Sequence, residues 1–161
     1  MIKVLFVCLG NICRSPMAEA IFRDLVKKEG LVDQIEVDSA GTGDWHIGRP
    51  PHEGTQKILT KNNISFEGMK ARQVIANDLE NFDYIIAMDS SNVGNLNKIF
   101  MNEKTGKVQR LLDLVDGSKI LDVPDPYYTG NFDEVYELVS NGCQRLLDVI
   151  KKENLLVKGE I

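Results

Sequence analysis

Residues 2–8, IKVLFVC, are apolar at every position except Lys3, and the chain then turns through LGNICR into a segment with helical periodicity. An apolar, β-branched run without polar alternation is the pattern of a strand buried on both faces of a parallel sheet. In the segment that follows, Ser15 is expected as N-cap and Pro16 at the first helical position, with Glu19 shortly after. Met17, Ala18, Ala20, Ile21, Leu25 and Val26 supply the apolar face. Strand, tight turn and helix in direct succession form the unit in which loop amides and a helix N-terminus converge past the end of a sheet.

The remaining chain repeats the alternation. Strands are expected over residues 35–39, 82–88 and 108–114, and helices over 52–63, 91–101 and 131–153. The last helix carries Val135, Leu138, Val139, Gly142, Leu146, Val149 and Ile150 on one face, with Asn131 and Glu134 as a capping pair. Parallel strands need helical crossovers, so the expectation is an α/β fold, an open parallel sheet with helices on both faces. Two long loops, residues 40–51 and 116–130, carry aromatics among Gly and Pro, a composition that marks functional loops. With 161 residues, 43% of them hydrophobic, and no linker, one domain over 1–161 is expected.

Charge narrows the function. The net charge is −5 and no basic tract occurs, which disfavours nucleic acid and membrane surfaces as partners. There is no apolar run long enough to span a bilayer, and the N-terminal stretch does not fit a signal peptide. The three cysteines, Cys8, Cys13 and Cys143, are an odd count in a chain that folds without bridges. A reducing compartment, the cytoplasm, is the expected location.

The chemistry gathers at the end of the first strand. Cys8 ends it, Arg14 stands six positions later at the start of the helix, and the backbone amides from Leu9 through Gly10, Asn11, Ile12 and Cys13 to Ser15 can converge on an anion between them. Arg14 can grip two oxygens of a phosphate with a planar fork, and Gly10 and Asn11 tolerate the positive φ of such a turn. Amides that favour phosphate also favour a thiolate, so Cys8 is the candidate nucleophile, with Ser15 as a hydrogen-bond donor to it. Attack on phosphorus expels an alkoxide or phenoxide, which calls for a proton donor, and Asp125, held between Pro124 and Pro126, is the candidate. Each residue also has a plainer reading: Cys8 as a small buried side chain ending a strand, Asp125 as a turn residue beside proline.

Taken together, CLGNICRSPMAEA, DSAGTGDW, KARQV, FDYIIAMDSSN and DVPDPYY resemble the low-molecular-weight protein tyrosine phosphatase family, over residue 3 to about residue 150. The resemblance implies a three-layer fold with a four-stranded parallel sheet in the order 2-1-3-4. It implies hydrolysis of phosphotyrosine and small aryl phosphates through a cysteinyl phosphate, with Cys8 as nucleophile, Arg14 as phosphate clamp and Asp125 as general acid. By the same similarity Asn11 locks the loop with help from Ser39, Ser15 assists Cys8, and Trp45 and Tyr127 wall a slot for a flat ring. Trp45 and Tyr127 could equally pin their loops. No cofactor or metal is implied, and the expected partner is a phosphotyrosine-bearing protein or aryl phosphate acted on by a monomer.

Four other readings compete. A relative of this fold reduces arsenate with two further cysteines, which the stretch AMDSSNVGN lacks. Another hydrolyses phosphoarginine and carries threonine where this chain has Ile12, and the apolar side chain favours phosphotyrosine. Cys8, Cys13, His46 and His52 are zinc-ligand types at the wrong spacing, with Arg14 repelling a cation, so both histidines are expected at the surface. A non-catalytic phosphate or flavin-phosphate binding module would use the same strand ends without needing Cys8 or Asp125. Cys13, five residues from Cys8, is expected to form a reversible disulfide with it under peroxide, the alternative being a core filler.

Overall fold

The computed structural model describes residues 1–103 and 106–156. Its elements run β1 (Ile2–Cys8), α1 (Arg14–Lys28), β2 (Ile35–Gly41), α2 (Glu53–Lys61), α3 (Asp78–Asn81), β3 (Tyr84–Ala87), α4 (Ser90–Ile99), β4 (Val108–Arg110), a 3-10 turn (Leu111–Leu114), α5 (Pro126–Thr129) and α6 (Phe132–Glu153). All four strands are parallel, in the order β2-β1-β3-β4. The order 2-1-3-4 and the parallel α/β architecture are as expected.

The unbroken apolar character of β1 has a direct cause. Val4, Phe6 and Cys8 face a core built with α1 and α6, while Leu5 and Val7 face a second core against Leu79, Leu96 and Phe100 on the α3 and α4 side. Both faces of the strand are dry, so alternation disappears. β1 is paired on both edges, with Cys8 opposite Gly41 and Phe6 opposite Ser39 on β2. The chain leaves β1 toward β2 on one side and reaches β3 on the other, so the carboxyl end of β1 lies at the switch point where such sheets form crevices.

Several boundaries differ from expectation for physical reasons. Helix α1 starts at Arg14 with Cys13 as N-cap and no side-chain cap, so Ser15 is the second helical residue and its hydroxyl is directed elsewhere. Strand β2 continues to Gly41 because its last residues pair with Val7 and Cys8. The fourth strand stops at Arg110, and Leu111 and Leu112 turn as a 3-10 helix that buries both leucines, which an apolar run cannot be distinguished from by period alone. Helix α4 ends at Ile99, since Met101 and Asn102 both take positive φ, 55° and 59°. The loop 116–130 contains α5, N-capped by Asp125 and ended by Gly130 at φ 74°. For α6 the capping pair holds: Asn131 Oδ1 accepts the Glu134 N–H at 3.1 Å and its amide reaches Glu134 Oε2 at 3.3 Å. Cys143 is fully buried on the core side of this helix, as expected of a packing residue.

Gly142 is where α6 meets the 3-10 turn: a Cβ there would collide with Cγ of Leu111, which is fully buried and cannot swing away. Gly142→Val should therefore lower the unfolding free energy by about 1–3 kcal/mol through overpacking, in spite of the better helix propensity, and urea unfolding should show it as a lower midpoint. Leu111→Ala in the same chain should recover part of that loss.

Candidate active site

The loop between β1 and α1 is held from outside by its carbonyl groups. Thr42 N–H donates to Cys8 O at 3.0 Å, Gly43 N–H to Leu9 O at 2.9 Å, and His52 N–H to Ile12 O at 2.7 Å. The Thr55 hydroxyl donates to Cys13 O at 3.1 Å. In a planar trans peptide the N–H of the next residue points opposite to the carbonyl, so the amides of Leu9, Gly10, Cys13 and Arg14 are turned inward, toward the side on which Cys8 lies. Gly41 allows this: a Cβ on it would sit 2.8 Å from Leu9 O and 3.1 Å from Asn11 N. The close approach of strand end to loop admits no side chain there.

Asn11 sits at φ 55°, in the left-handed region its side chain makes tolerable. Its backbone N–H donates to Cys8 Sγ at 3.3 Å. Its side-chain amide donates to Ser15 Oγ at 2.7 Å and Ser39 Oγ at 3.0 Å, and its Oδ1 accepts the Arg72 N–H at 3.0 Å. Ser15 Oγ lies 2.9 Å from Cys8 Sγ. Asn11 and Ser15 do not line the cavity, so they act beneath the loop and not on its concave face.

Above the loop is a cavity of about 320 Å³. Cys8, Leu9, Gly10, Ile12, Cys13 and Arg14 form its base, and Trp45, Asp125 and Tyr127 its sides. The structure thus brings together residues from β1, α1 and both long loops. Trp45 and Tyr127 remain 64% and 54% exposed, so they form a rim more than a closed slot. Tyr127 packs edge-on against Tyr128 at 5.3 Å and against His52 at 6.0 Å, and His52 stacks on Phe132 at 5.2 Å.

Arg14 is 2% exposed, and its partners explain how a guanidinium is kept there. Nη1 donates to Asp89 Oδ2 at 2.6 Å and Val123 O at 2.9 Å, and Nη2 reaches Asp125 Oδ2 at 3.4 Å. Burial pulls against its charge, but Cys8, Asp89 and Asp125 outweigh burial and hold it firmly protonated. Asp125 is placed by two anchors: Val123 N–H donates to Met88 O at 2.9 Å, and Asp125 Oδ1 accepts the Tyr127 N–H at 3.1 Å. The Cys13 thiol is pushed up to about 12, by burial first and then by Cys8 and Asp125, so it keeps its proton.

The sequence reading missed Asp89, His46, Tyr128, Gly41 and Glu19. Asp89 had a visible signal, a carboxylate directly after the buried strand β3, which the site needs because Arg14 is buried. The histidines are corrected from surface to half-buried: His46 lines the cavity beside Gly10, and His52 N-caps α2 through Nδ1, 3.0 Å from Gly54 N. Among the described residues no three His, Cys, Asp or Glu side chains are placed to hold one metal ion.

The chain is similar to known proteins over nearly all of its length. The sequence pattern of the family described as low molecular weight phosphotyrosine protein phosphatase matches residues 3–156. The chain is 62% identical over 156 residues to the low molecular weight protein-tyrosine-phosphatase YfkJ of Bacillus subtilis, covering 97% of this chain and 100% of that protein. The crystal structure of YfkJ superposes with a TM-score of 0.94, at 63% identity over 95% of this chain and 96% of that one. The chain is similar also to the phosphatase PtpA of Staphylococcus aureus, 53% identical over 99% of this chain and 100% of PtpA. A crystal structure of a drosophila arginine phosphatase superposes with a TM-score of 0.85, at 36% identity over 93% of this chain and 98% of that one.

Proposed function

We propose a division of catalytic labour for this chain, which belongs to the low molecular weight phosphotyrosine protein phosphatase family and is a protein-tyrosine-phosphatase. The observation that carries the assignment is Cys8 Sγ at the bottom of a loop whose Cys8, Leu9, Ile12 and Cys13 carbonyls are drawn outward, with Arg14 beside it. Cys8 attacks phosphorus, the S–P bond forms as the P–O bond to the aryl group breaks, and Asp125 gives its proton to the leaving oxygen. Water then attacks the cysteinyl phosphate, Asp125 takes a proton from it, and Cys8 departs as a thiolate that Ser15 steadies. The inward amides of Leu9, Gly10, Cys13 and Arg14 and the Arg14 fork hold the three non-bridging oxygens as charge builds on them. No metal ion is required in this scheme.

Trp45 and Tyr127 flank the ring of the substrate, and their exposure fits a phosphotyrosine presented on a protein. Likeness to an arginine phosphatase makes phosphoarginine the competing substrate. Ile12 supports phosphotyrosine: it lines the cavity while packed with Cys13, Ala71 and Phe132, and an apolar side chain offers a guanidinium nothing to bond. The chain is read as one domain over 1–161, acting as a monomer in the cytoplasm. Three free thiols fit a reducing compartment, and a single family pattern over residues 3–156 fits one domain.

Cys8→Ser should abolish metal-free release of phosphate from aryl phosphates, where a binding module would show no turnover even with Cys8 intact. Asp125→Ala should lower kcat by roughly 10²–10⁴-fold for phenyl phosphate and by less for p-nitrophenyl phosphate, the usual worth of a general acid. Equal losses for the two leaving groups would remove Asp125 from that role.

Redox protection is the second proposal for the site. Peroxide oxidises the Cys8 thiolate to a sulfenic acid, Cys13 sulfur displaces water from it, and a Cys8–Cys13 disulfide results that dithiothreitol reduces. Oxidation of Cys8 also removes one of the charges that keep Cys13 protonated. Cys13→Ser should keep most of its turnover but fail to recover with dithiothreitol after peroxide. Full recovery of that variant would leave Cys13 a packing role alone.

A further inference from the structure

Glu19 lies on α1 one turn beyond Ser15, only 9% exposed, and the mechanism above gives it no task. Burial pushes its carboxyl up, with Asp38 on β2 adding to that, while the Ser39 hydroxyl, Arg23 and Arg72 pull it down. Its short contact is a hydrogen bond from Ser39 Oγ at 2.6 Å, the length of an O–H donating to a carboxylate. Ser39 has one hydrogen, and with that hydrogen on Glu19 its lone pairs are what it presents to Asn11.

The direction of every following bond is then set. Arg72 N–H can only donate, which puts Oδ1 of Asn11 on that side and both amide hydrogens on the other, toward Ser39 and Ser15. Ser15 Oγ accepts from Asn11, so its own hydrogen is left for Cys8 Sγ, 2.9 Å away. A flipped Asn11 amide would reverse this. Its oxygen would face both serines and draw the Ser15 hydrogen off the sulfur, and with Glu19 holding the Ser39 hydrogen it would meet a second oxygen lone pair at Ser39. Glu19 and the Arg72 amide therefore oppose the flip from two ends of the same chain of bonds.

We propose that Glu19 is a positioning residue for Cys8, which through Ser39 and Asn11 keeps the Ser15 hydroxyl hydrogen directed at the reactive sulfur. The effect is one of orientation. The carboxylate's field alone disfavours a nearby thiolate, so field and orientation predict opposite shifts when Glu19 is replaced. Arg14 and Cys13 beside Cys8, and Asp125, His46, Tyr127 and Tyr128 lining the cavity above it, lie outside this chain of bonds and are untouched by the replacement.

The proposal rests on Cys8 as the nucleophile, and its test avoids turnover. Iodoacetamide alkylation of Cys8, followed by peptide mass mapping as pH is varied, reads the thiolate directly, whereas failure of the phosphatase mechanism would show as aryl phosphate turnover surviving in Cys8→Ser. Glu19→Met, of similar length without an acceptor, should raise the alkylation midpoint by roughly one pH unit, on the scale of losing a hydrogen bond to a charged group. The acid limb of kcat/KM should move with it. Glu19→Gln keeps an acceptor for Ser39 and should stay close to wild type. Ser39→Ala breaks the same link should Glu19→Met fail to fold, and should raise the midpoint likewise, with the double variant going no further than the larger single change. A midpoint that stays or falls in Glu19→Met and Ser39→Ala, or rises equally in Glu19→Gln, overturns the proposal.

Discussion

Asn11 ties the anion loop to four different places at once: the sulfur of Cys8, the first turn of α1 at Ser15, strand β2 at Ser39, and the backbone of Arg72. No larger side chain could make these bonds from a left-handed residue, and no smaller one could reach them. The loop's turn at Asn11 and the proton direction at Cys8 follow from this one residue having its backbone N–H, both side-chain amide hydrogens and its Oδ1 committed. The network is nearly fully satisfied, which is the condition under which buried polar groups specify a single arrangement.

Charge is managed on the same principle. Arg14 is withdrawn from water into the floor of a cavity, where an unpaired guanidinium would be costly, and Asp89, Asp125 and the Val123 carbonyl share the task of holding it. Asp89 comes from the end of β3 and Asp125 from the loop before α5, so one arginine fastens three segments that are far apart in the chain. Asp122 adds a fourth tie, its carboxylate accepting from the Ser90 N–H at 3.0 Å and lying 3.3 Å from Arg110 Nη1. The loop that carries Asp125 is thus anchored at both ends of its functional stretch.

Arg72 shows how a part-buried ion-pair cluster serves the site indirectly. Its guanidinium contacts Asp38 at 3.0 Å and Asp78 at 3.0 Å, and its carbonyl accepts the Gly41 N–H at 2.8 Å. The backbone between α2 and α3 is held against β2 by these bonds, and this holding lets its amide fix the Asn11 side chain. The resemblance to known phosphatases rests partly on the string KARQV, and the structure gives the physical reason for the arginine in it.

The sequence by itself determined the parallel α/β fold, because an apolar run like IKVLFVC has no stable place except between two layers of helices, and it placed Cys8, Arg14 and the turn between them within one contiguous segment. Local spacing sufficed there, since five residues between a strand end and a helix start leave little conformational choice. It did not locate the true start of α1 or the end of β4, where Ser15 answers to Cys8 and Leu111 to α6 instead of to local propensity. His46, Gly41 and Glu19 were decided by tertiary structure alone, and so was the partner of Asp89, although its place after β3 was legible. Their contributions depend on strand register and on the meeting of segments dozens of residues apart, and neither periodicity nor composition carries a record of which side chains those distances bring into contact.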